Sequence, residues 1–272
     1  MSPYRIALSE VLTGVVAPAA EATAVQGRFP RGAVTALGRA GLLGLTVSTE
    51  FGGGGGGLPE AVDVVARTAR VCPATAAVLR SHYTAVAVIE AYGGPWLRAE
   101  IAAGRHLGSL ALAESQDEGS GPTAETQLLV PRSVATRSGG VVALRARKQR
   151  VVAAGEADTY VWSSRPLAAP DGLTLWAVPA HAPDLFVPAR PGASGPRGSA
   201  TSTVFADPVL VPAEAMLGPD GGGLDLVLRT VLPWLLELRA AAESRRPPAP
   251  DAVALGSARR PAGSPAGSLA AS

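Results

Sequence analysis

The chain has 272 residues, of which 47% are hydrophobic, so it is long and apolar enough for one large or two ordinary folded domains and is not disordered as a whole. A formal net charge of only +2, with arginines scattered among acids, gives little support to a nucleic-acid site. Cys72 is the single cysteine, which excludes an intramolecular disulfide and favours a reducing, cytoplasmic location. Glu10 interrupts the apolar run that a secretion signal needs, and no uncharged stretch reaches the roughly 18 residues of a membrane span.

Helical periodicity dominates the first hundred residues. Residues 4–26 contain Pro18, which predicts two short helices or turns. The run Gly52–Gly57 is expected to form a mobile loop, because ordering glycine costs more backbone entropy than ordering any other residue. Apolar spacing with proline starts and glycine ends predicts four further helices. These are Pro30–Leu43, Leu58–Val71, Ala74–Tyr92 and Trp96–Ala103.

From Leu107 the sequence changes to short β-type runs separated by turn signals. Such runs at this spacing favour a small antiparallel barrel or sandwich. A helical half followed by a strand-rich half gives an α+β fold class. The predicted strands are Leu107–Ala113, Gln127–Val130, Val141–Ala146, Thr159–Ser164, Leu173–Val178, Thr203–Phe205 and Val209–Val211.

A last helix is predicted over Asp225–Ala242, with a kink at Pro233. Beyond it the sequence is rich in Pro, Arg, Ala, Gly and Ser and shows no helical or strand periodicity, so a disordered tail is expected. The predicted organisation is therefore a helical domain over residues 1–106, a β-domain over 107–220, a single helix over 221–243 and a tail over 244–272.

One stretch, Leu107–Gly121, combines an apolar strand, the carboxylate Glu114 and a polar loop ending in Gly119-Ser120-Gly121. On spacing alone, a core strand followed by an ordinary turn is the simpler interpretation. The stretch nevertheless resembles the flavin-contacting segment of the acyl-CoA dehydrogenase family. Three further segments resemble that family in the same order along the chain. They are Gly41–Gly53, Ala91–Glu114 and Gly195–Gly223.

The resemblance implies a helical domain, a middle β-domain and a C-terminal helical bundle, of which this chain is expected to hold only the first helix. It implies FAD as cofactor, acyl-CoA as substrate and a homo-oligomer in which a neighbouring subunit completes the cofactor site. In the family a carboxylate removes the α-proton of the thioester while hydride passes to the flavin. That base lies on the bundle in most members, so no catalytic residue is assigned here.

The resemblance also implies flavin contacts on the first strand and its loop. Leu110 and Leu112 align with backbone that meets the pyrimidine edge of the flavin. Ala113 stands where the family places a threonine hydroxyl, and Ser120 matches a ligand-facing serine after a loop that is one residue longer.

A second strand carries the other implied contacts. The family pattern Lys-x-Trp-x-Thr aligns with Lys148, Arg150 and Val152. Arg150 lacks the aromatic face, and Val152 cannot donate a hydrogen bond. Since each hydrogen bond lost to a buried ligand costs about 1–3 kcal/mol, weak FAD binding is expected.

Acidic and histidine side chains elsewhere in the chain have simpler interpretations than catalysis. Glu114, Asp117 and Glu118 are interpreted as structural or solvated acids rather than a replacement base, and His82 as a hydrogen-bonded helix residue. No metal-ligand spacing is found. The leading hypothesis is a shortened FAD-dependent acyl-CoA dehydrogenase of reduced or no activity. The alternatives are a non-catalytic truncated or frameshifted product or partner subunit, and, with less support, a flavin monooxygenase on the same fold.

Overall fold

The structure, a computed structural model, describes residues 2–114, 131–188 and 195–244. Its first half is helical, as the sequence predicts. The helices are α1 (Pro3–Val11), α2 (Ala17–Gln26), α3 (Arg31–Arg39), α4 (Leu58–Ala69), α5 (Pro73–Tyr92) and α6 (Pro95–Ala102). Most of α5 is buried, because it packs against α4 and against the first β-strand. This central helix therefore joins the helical half to the β-half.

Pro18 does not break the first helical stretch, contrary to the prediction of two short pieces. A π-turn, Leu12–Val16, connects α1 directly to α2, and the Ala17 N–H donates to the Leu12 carbonyl five residues back. Proline has no N–H and its ring clashes with the carbonyl four residues earlier. Widening the turn just before Pro18 relieves that clash, so the helix continues.

The stretch Pro3–Gln26 is, by length and composition alone, apolar enough to cross a membrane, which the sequence analysis did not anticipate. A core helix passes the same test, so this is weak evidence of a membrane span. Leu8 and Val16 of this stretch are buried in the hydrophobic core of the described residues.

The glycine run is a hydrogen-bonded segment rather than the expected mobile loop. The Gly54 and Gly56 N–H groups donate to the carbonyls of Gly44 and Leu45, at 3.0 and 2.9 Å. A Cβ at Gly53 would lie 2.2 Å from the Val47 carbonyl oxygen. Backbone therefore packs on backbone here, which only glycine permits.

The β-half is a sandwich of two four-stranded sheets, and within the described residues neither sheet closes into a barrel. Buried Trp162 and Trp176 of the first sheet and Val204 and Val209 of the second share one core cluster. The first sheet has the order β1-β4-β5-β8, with β1 (Gly108–Ala111), β4 (Thr159–Ser164), β5 (Thr174–Pro179) and β8 (Met216–Leu217). The second has the order β2-β3-β7-β6, with β2 (Val134–Ser138), β3 (Val141–Val151), β6 (Leu185–Phe186) and β7 (Ser202–Pro212).

Two details of the strand prediction are corrected, and a third is not tested. The pair β1–β4 is parallel, whereas the other pairs are antiparallel. The two runs predicted at 203–205 and 209–211 form one strand, β7, in which Pro208 falls where the register with β3 shifts between Leu144 and Ala146. A bulge places the residue without an N–H outside the ladder. The strand predicted at 127–130 lies outside the described residues.

The last described elements are α7 (Gly223–Leu226), a π-turn over Val227–Val231 and α8 (Leu232–Glu243). Pro233 again follows a π-turn, and the Leu232 N–H donates to the Val227 carbonyl five residues back. α8 packs against α4 and α5. The predicted disordered tail lies, from residue 245 onward, outside the described residues.

Candidate functional site

A cleft of about 230 Å³ opens where the end of β1, the end of β3, α5 and α8 meet. It brings together five of the six residues that the sequence proposes as flavin contacts. These are Leu110, Leu112, Ala113, Arg150 and Val152. Ser120, the sixth, lies outside the described residues.

Some backbone groups of the first strand are already used inside the protein. The Leu110 N–H donates to Ser81 Oγ at 3.0 Å, and the Ala113 carbonyl accepts from the Gln149 N–H at 2.7 Å. The Leu110 N–H is therefore already used within the protein, whereas the Ala113 carbonyl can accept a second hydrogen bond. Leu110 instead contributes to the apolar wall of the cleft.

Arg150 lies at a bulge in which β3 loses its register with β7, between Lys148 and Val151. Its φ is +51°, in the left-handed region that side chains with a Cβ seldom adopt. Such strained residues persist where the surrounding fold holds them, often beside ligand sites. The bulge places the exposed Arg150 and the half-buried Val152 on the lining of the cleft.

A buried ion pair ties the two sheets together next to the cleft. Lys148, fully buried, donates from Nζ to Glu114 Oε1 and to the carbonyl and hydroxyl oxygens of Ser163. Glu114 also accepts from the backbone N–H groups of Arg132 and Ser133, at 2.5 and 3.1 Å, and from the Ser133 hydroxyl. Burial lowers the pKa of Lys148 to about 8, against the opposing attraction of Glu114. Glu114 is thus structural, as the sequence analysis favoured, while Asp117 and Glu118 lie outside the described residues.

A polar network beneath β1 supports the cleft from the side of α5. Ser81 Oγ hydrogen bonds with Ser109 Oγ, which in turn donates to the Val152 carbonyl at 2.5 Å. His82 bonds the Leu43 carbonyl through Nε2 and accepts from the Gly108 N–H through Nδ1, which assigns a neutral ring with the proton on Nε2. Burial lowers the pKa of His82 to about 4, so the ring stays neutral. This confirms the interpretation of His82 as a hydrogen-bonded helix residue.

Two walls of the cleft were missed by sequence reasoning. Arg80 and Ser81 enter from α5, and Leu232, Leu235, Leu236 and Arg239 enter from α8. The spacing of these α8 residues, i, i+3, i+4 and i+7, marks one helix face. That pattern was visible in the sequence, but which surface it covers depends on tertiary packing.

The described lining of the cleft contains no Asp or Glu side chain. Within residues 2–114, 131–188 and 195–244, no group of three His, Cys, Asp or Glu side chains could hold a metal ion. The chemistry of the described lining is therefore that of an apolar cleft with guanidinium groups at its walls.

Comparison with known proteins agrees with this geometry. Residues 4–104 match the family model described as the N-terminal domain of acyl-CoA dehydrogenase. A curated acyl-CoA dehydrogenase of Bacillus subtilis is 28% identical over 223 residues, covering 78% of this chain and 56% of the relative. The helical half therefore matches the N-terminal domain of acyl-CoA dehydrogenases, and the chain is similar to a member of that family over 78% of its length.

Solved structures extend the similarity into the β-half. Butyryl-CoA dehydrogenase from Megasphaera elsdenii superposes with a TM-score of 0.76 at 21% identity, covering 89% of this chain and 65% of that one. A structure described as the FAD complex of PigA gives a TM-score of 0.73 at 17% identity, covering 89% of this chain and 64% of that one. At these identities the likeness establishes the fold alone. The chain spans about half the length of the curated relatives it matches.

Proposed function

We propose that the cleft receives the flavin ring of FAD. The protein would then form part of an FAD-dependent active site for α,β-dehydrogenation of an acyl-CoA thioester. One observation carries the proposal: residues from two strands, chosen from sequence as flavin contacts, line the same cleft. Two comparisons support it, since one structural neighbour is named for butyryl-CoA and another is described as an FAD complex.

The lining residues fit a flavin, but incompletely. Leu110, Leu112 and Val152 offer an apolar wall suited to an aromatic ring system. Ala113 and Val152 have no side-chain donor, so polar edges of the ring would lose hydrogen bonds there. A volume of about 230 Å³ suits a part of the cofactor rather than all of it. Weak FAD binding is thus part of the proposal and rests on these side chains.

When bound, FAD supplies the hydride acceptor of the dehydrogenation. The residues of this chain would position the ring against the β1–β3 edge and exclude water from its apolar side. Because the described lining has no carboxylate, the base that removes the α-proton would come from outside this lining. A non-catalytic partner subunit is the alternative that this observation favours.

Two further features belong to the proposal. A homo-oligomer is supported by exposed Leu228 and Leu236, whose side chains would be covered by a second copy. A cytoplasmic location is supported by the single, buried Cys72.

The experiment is a titration with FAD followed by quenching of flavin fluorescence, in the wild type and in the variants Ala113→Thr and Val152→Thr. Each added hydroxyl should tighten FAD binding about fivefold, the effect of one net hydrogen bond of about 1 kcal/mol. Val134→Thr, on the exposed surface of β2, is the matched control and should leave the affinity unchanged. Absence of FAD binding in the wild type and in both variants would refute the proposal. Bleaching of bound flavin by butyryl-CoA under anaerobic conditions would separate an enzyme from a non-catalytic partner.

A further inference from the structure

Arg80 occupies an unusual position in the cleft. It projects from α5, a largely buried helix, and lines the same cavity as the α8 residues Leu232 and Leu235. Among the described residues its guanidinium makes no hydrogen bond and no ion pair within 4.0 Å. Burial and then the nearby Arg239 guanidinium lower the pKa of Arg80, with a smaller opposing effect of Glu243.

Glu243, the acid that acts on the pKa of Arg80, forms no ion pair with it. Glu243 accepts a hydrogen bond from Arg239 at 2.8 Å, and both of these side chains are about 60% exposed. Arg150 adds a third guanidinium to the lining, and the part of the lining formed by described residues has no carboxylate. The cleft therefore combines apolar walls with the charge of Arg80, which the described residues leave without a paired anion.

The energetics of this arrangement point to the ligand. A neutral acyl chain entering the cleft would cover Arg80 and displace its water without offering an acceptor, which is unfavourable for a charged group. A ligand that carries its own anion would restore the lost interactions, and a carboxylate fits the planar guanidinium through paired hydrogen bonds. We infer that Arg80 is a specificity-determining residue, and that the acyl group taken by this cleft carries a carboxylate.

This inference rests on the proposed function, because it assumes that the acyl end of a thioester reaches the cleft beside the part of the flavin that the cleft holds. The probes are thioesters matched in carbon number: succinyl-CoA against butyryl-CoA, and glutaryl-CoA against pentanoyl-CoA. Their affinities are measured by isothermal titration calorimetry on the protein loaded with FAD. The wild type should bind at least one carboxylate-bearing thioester about tenfold more tightly than its neutral counterpart, the effect of a single charge-assisted pair.

Variants separate Arg80 from the general charge of the protein. Arg80→Met keeps the length of the side chain and should reduce the preference to less than threefold, whereas Arg80→Lys should retain part of it. Arg137→Met is the matched control, because Arg137 lies exposed on β2, where it donates to the Gly139 carbonyl. It removes the same charge and should leave the preference intact. Thermal unfolding of each variant verifies that it is folded.

The outcomes distinguish the two proposals. Equal affinity for charged and neutral thioesters in the wild type would overturn the inference and leave the proposed function standing. Failure to bind any thioester, with FAD bound, would overturn both. If Arg80→Met weakens FAD binding tenfold without changing the thioester preference, the anion is a flavin phosphate and the inference is wrong.

Discussion

Replacing Lys148 by Met tests whether the buried pair with Glu114 holds the two sheets in place. Lys148 is fully buried and donates to Glu114 and Ser163. Its removal leaves a buried carboxylate that, among the described hydrogen bonds, keeps neutral donors from Arg132 and Ser133. Breaking a buried pair in this way costs about 3–5 kcal/mol. Since three neutral donors still solvate Glu114, we expect a loss at the lower end, about 3 kcal/mol in the free energy of unfolding.

The double variant Lys148→Met/Glu114→Gln should recover about 2 kcal/mol, because glutamine keeps an acceptor for the backbone donors without a buried charge. Urea unfolding followed by tryptophan fluorescence is a suitable assay, as the Lys148 Nζ lies 5.4 Å from the ring centroid of buried Trp162. Arg229→Met, which breaks the exposed pair with Asp225, is the control and should cost less than about 0.5 kcal/mol. If Lys148→Met also costs that little, or if the double variant is no more stable than the single one, the reasoning fails.

Two other predictions concern stability. Burial lowers the pKa of His82 from 6.5 to about 4, so between these pH values the unfolded chain binds a proton there and the folded chain does not. The free energy of unfolding should therefore fall as the pH drops from 6.5 towards 4. In urea unfolding, His82→Asn should reduce this pH dependence, whereas the control His181→Asn, at an exposed side chain, should not. Gly38→Ala would place a Cβ 2.2 Å from the Gly104 carbonyl oxygen and should lower the free energy of unfolding by more than about 2 kcal/mol. Gly32→Ala, on the same helix, meets nothing within 4 Å and should be neutral or stabilising by about 0.5 kcal/mol. Equal effects of the two substitutions would contradict the packing argument.

Local sequence signals predicted the helices and strands well where proline, glycine or turn residues mark their ends. The central helix was located to within one residue because Pro73 and Gly93 mark its ends. The strand Thr159–Ser164 was exact, since an apolar run between turn signals has few alternatives. Prolines misled the prediction at Pro18 and Pro208, because a π-turn and a β-bulge accommodate a missing donor in ways that no local pattern shows.

Some residues of the candidate site could likewise be predicted from the sequence and others could not. Leu112 and Val152 were identified because a resemblance aligns their strands, and the fold then brought them to one cleft. Arg80 and the α8 leucines were not, since the contact of one helix face with one sheet edge is decided by long-range packing. The Leu110–Ser81 hydrogen bond likewise joins residues distant in sequence, so the use of the Leu110 N–H within the fold was not predictable.

The π-turn before α8 has a consequence for everything C-terminal to it. A widened turn inserts one residue into the helical count, which rotates the following face by about 100° relative to an unbroken α-helix. Val227 and Val231 of the turn are buried against the core, while Leu232, Leu235 and Leu236 after it border the cleft. The π-turn before Pro233 thus lets one continuous helical segment face the core with its first part and the cleft with its second. A sequence change that restored a regular α-helix here would rotate the three leucines away from the cleft, although none of them would be substituted.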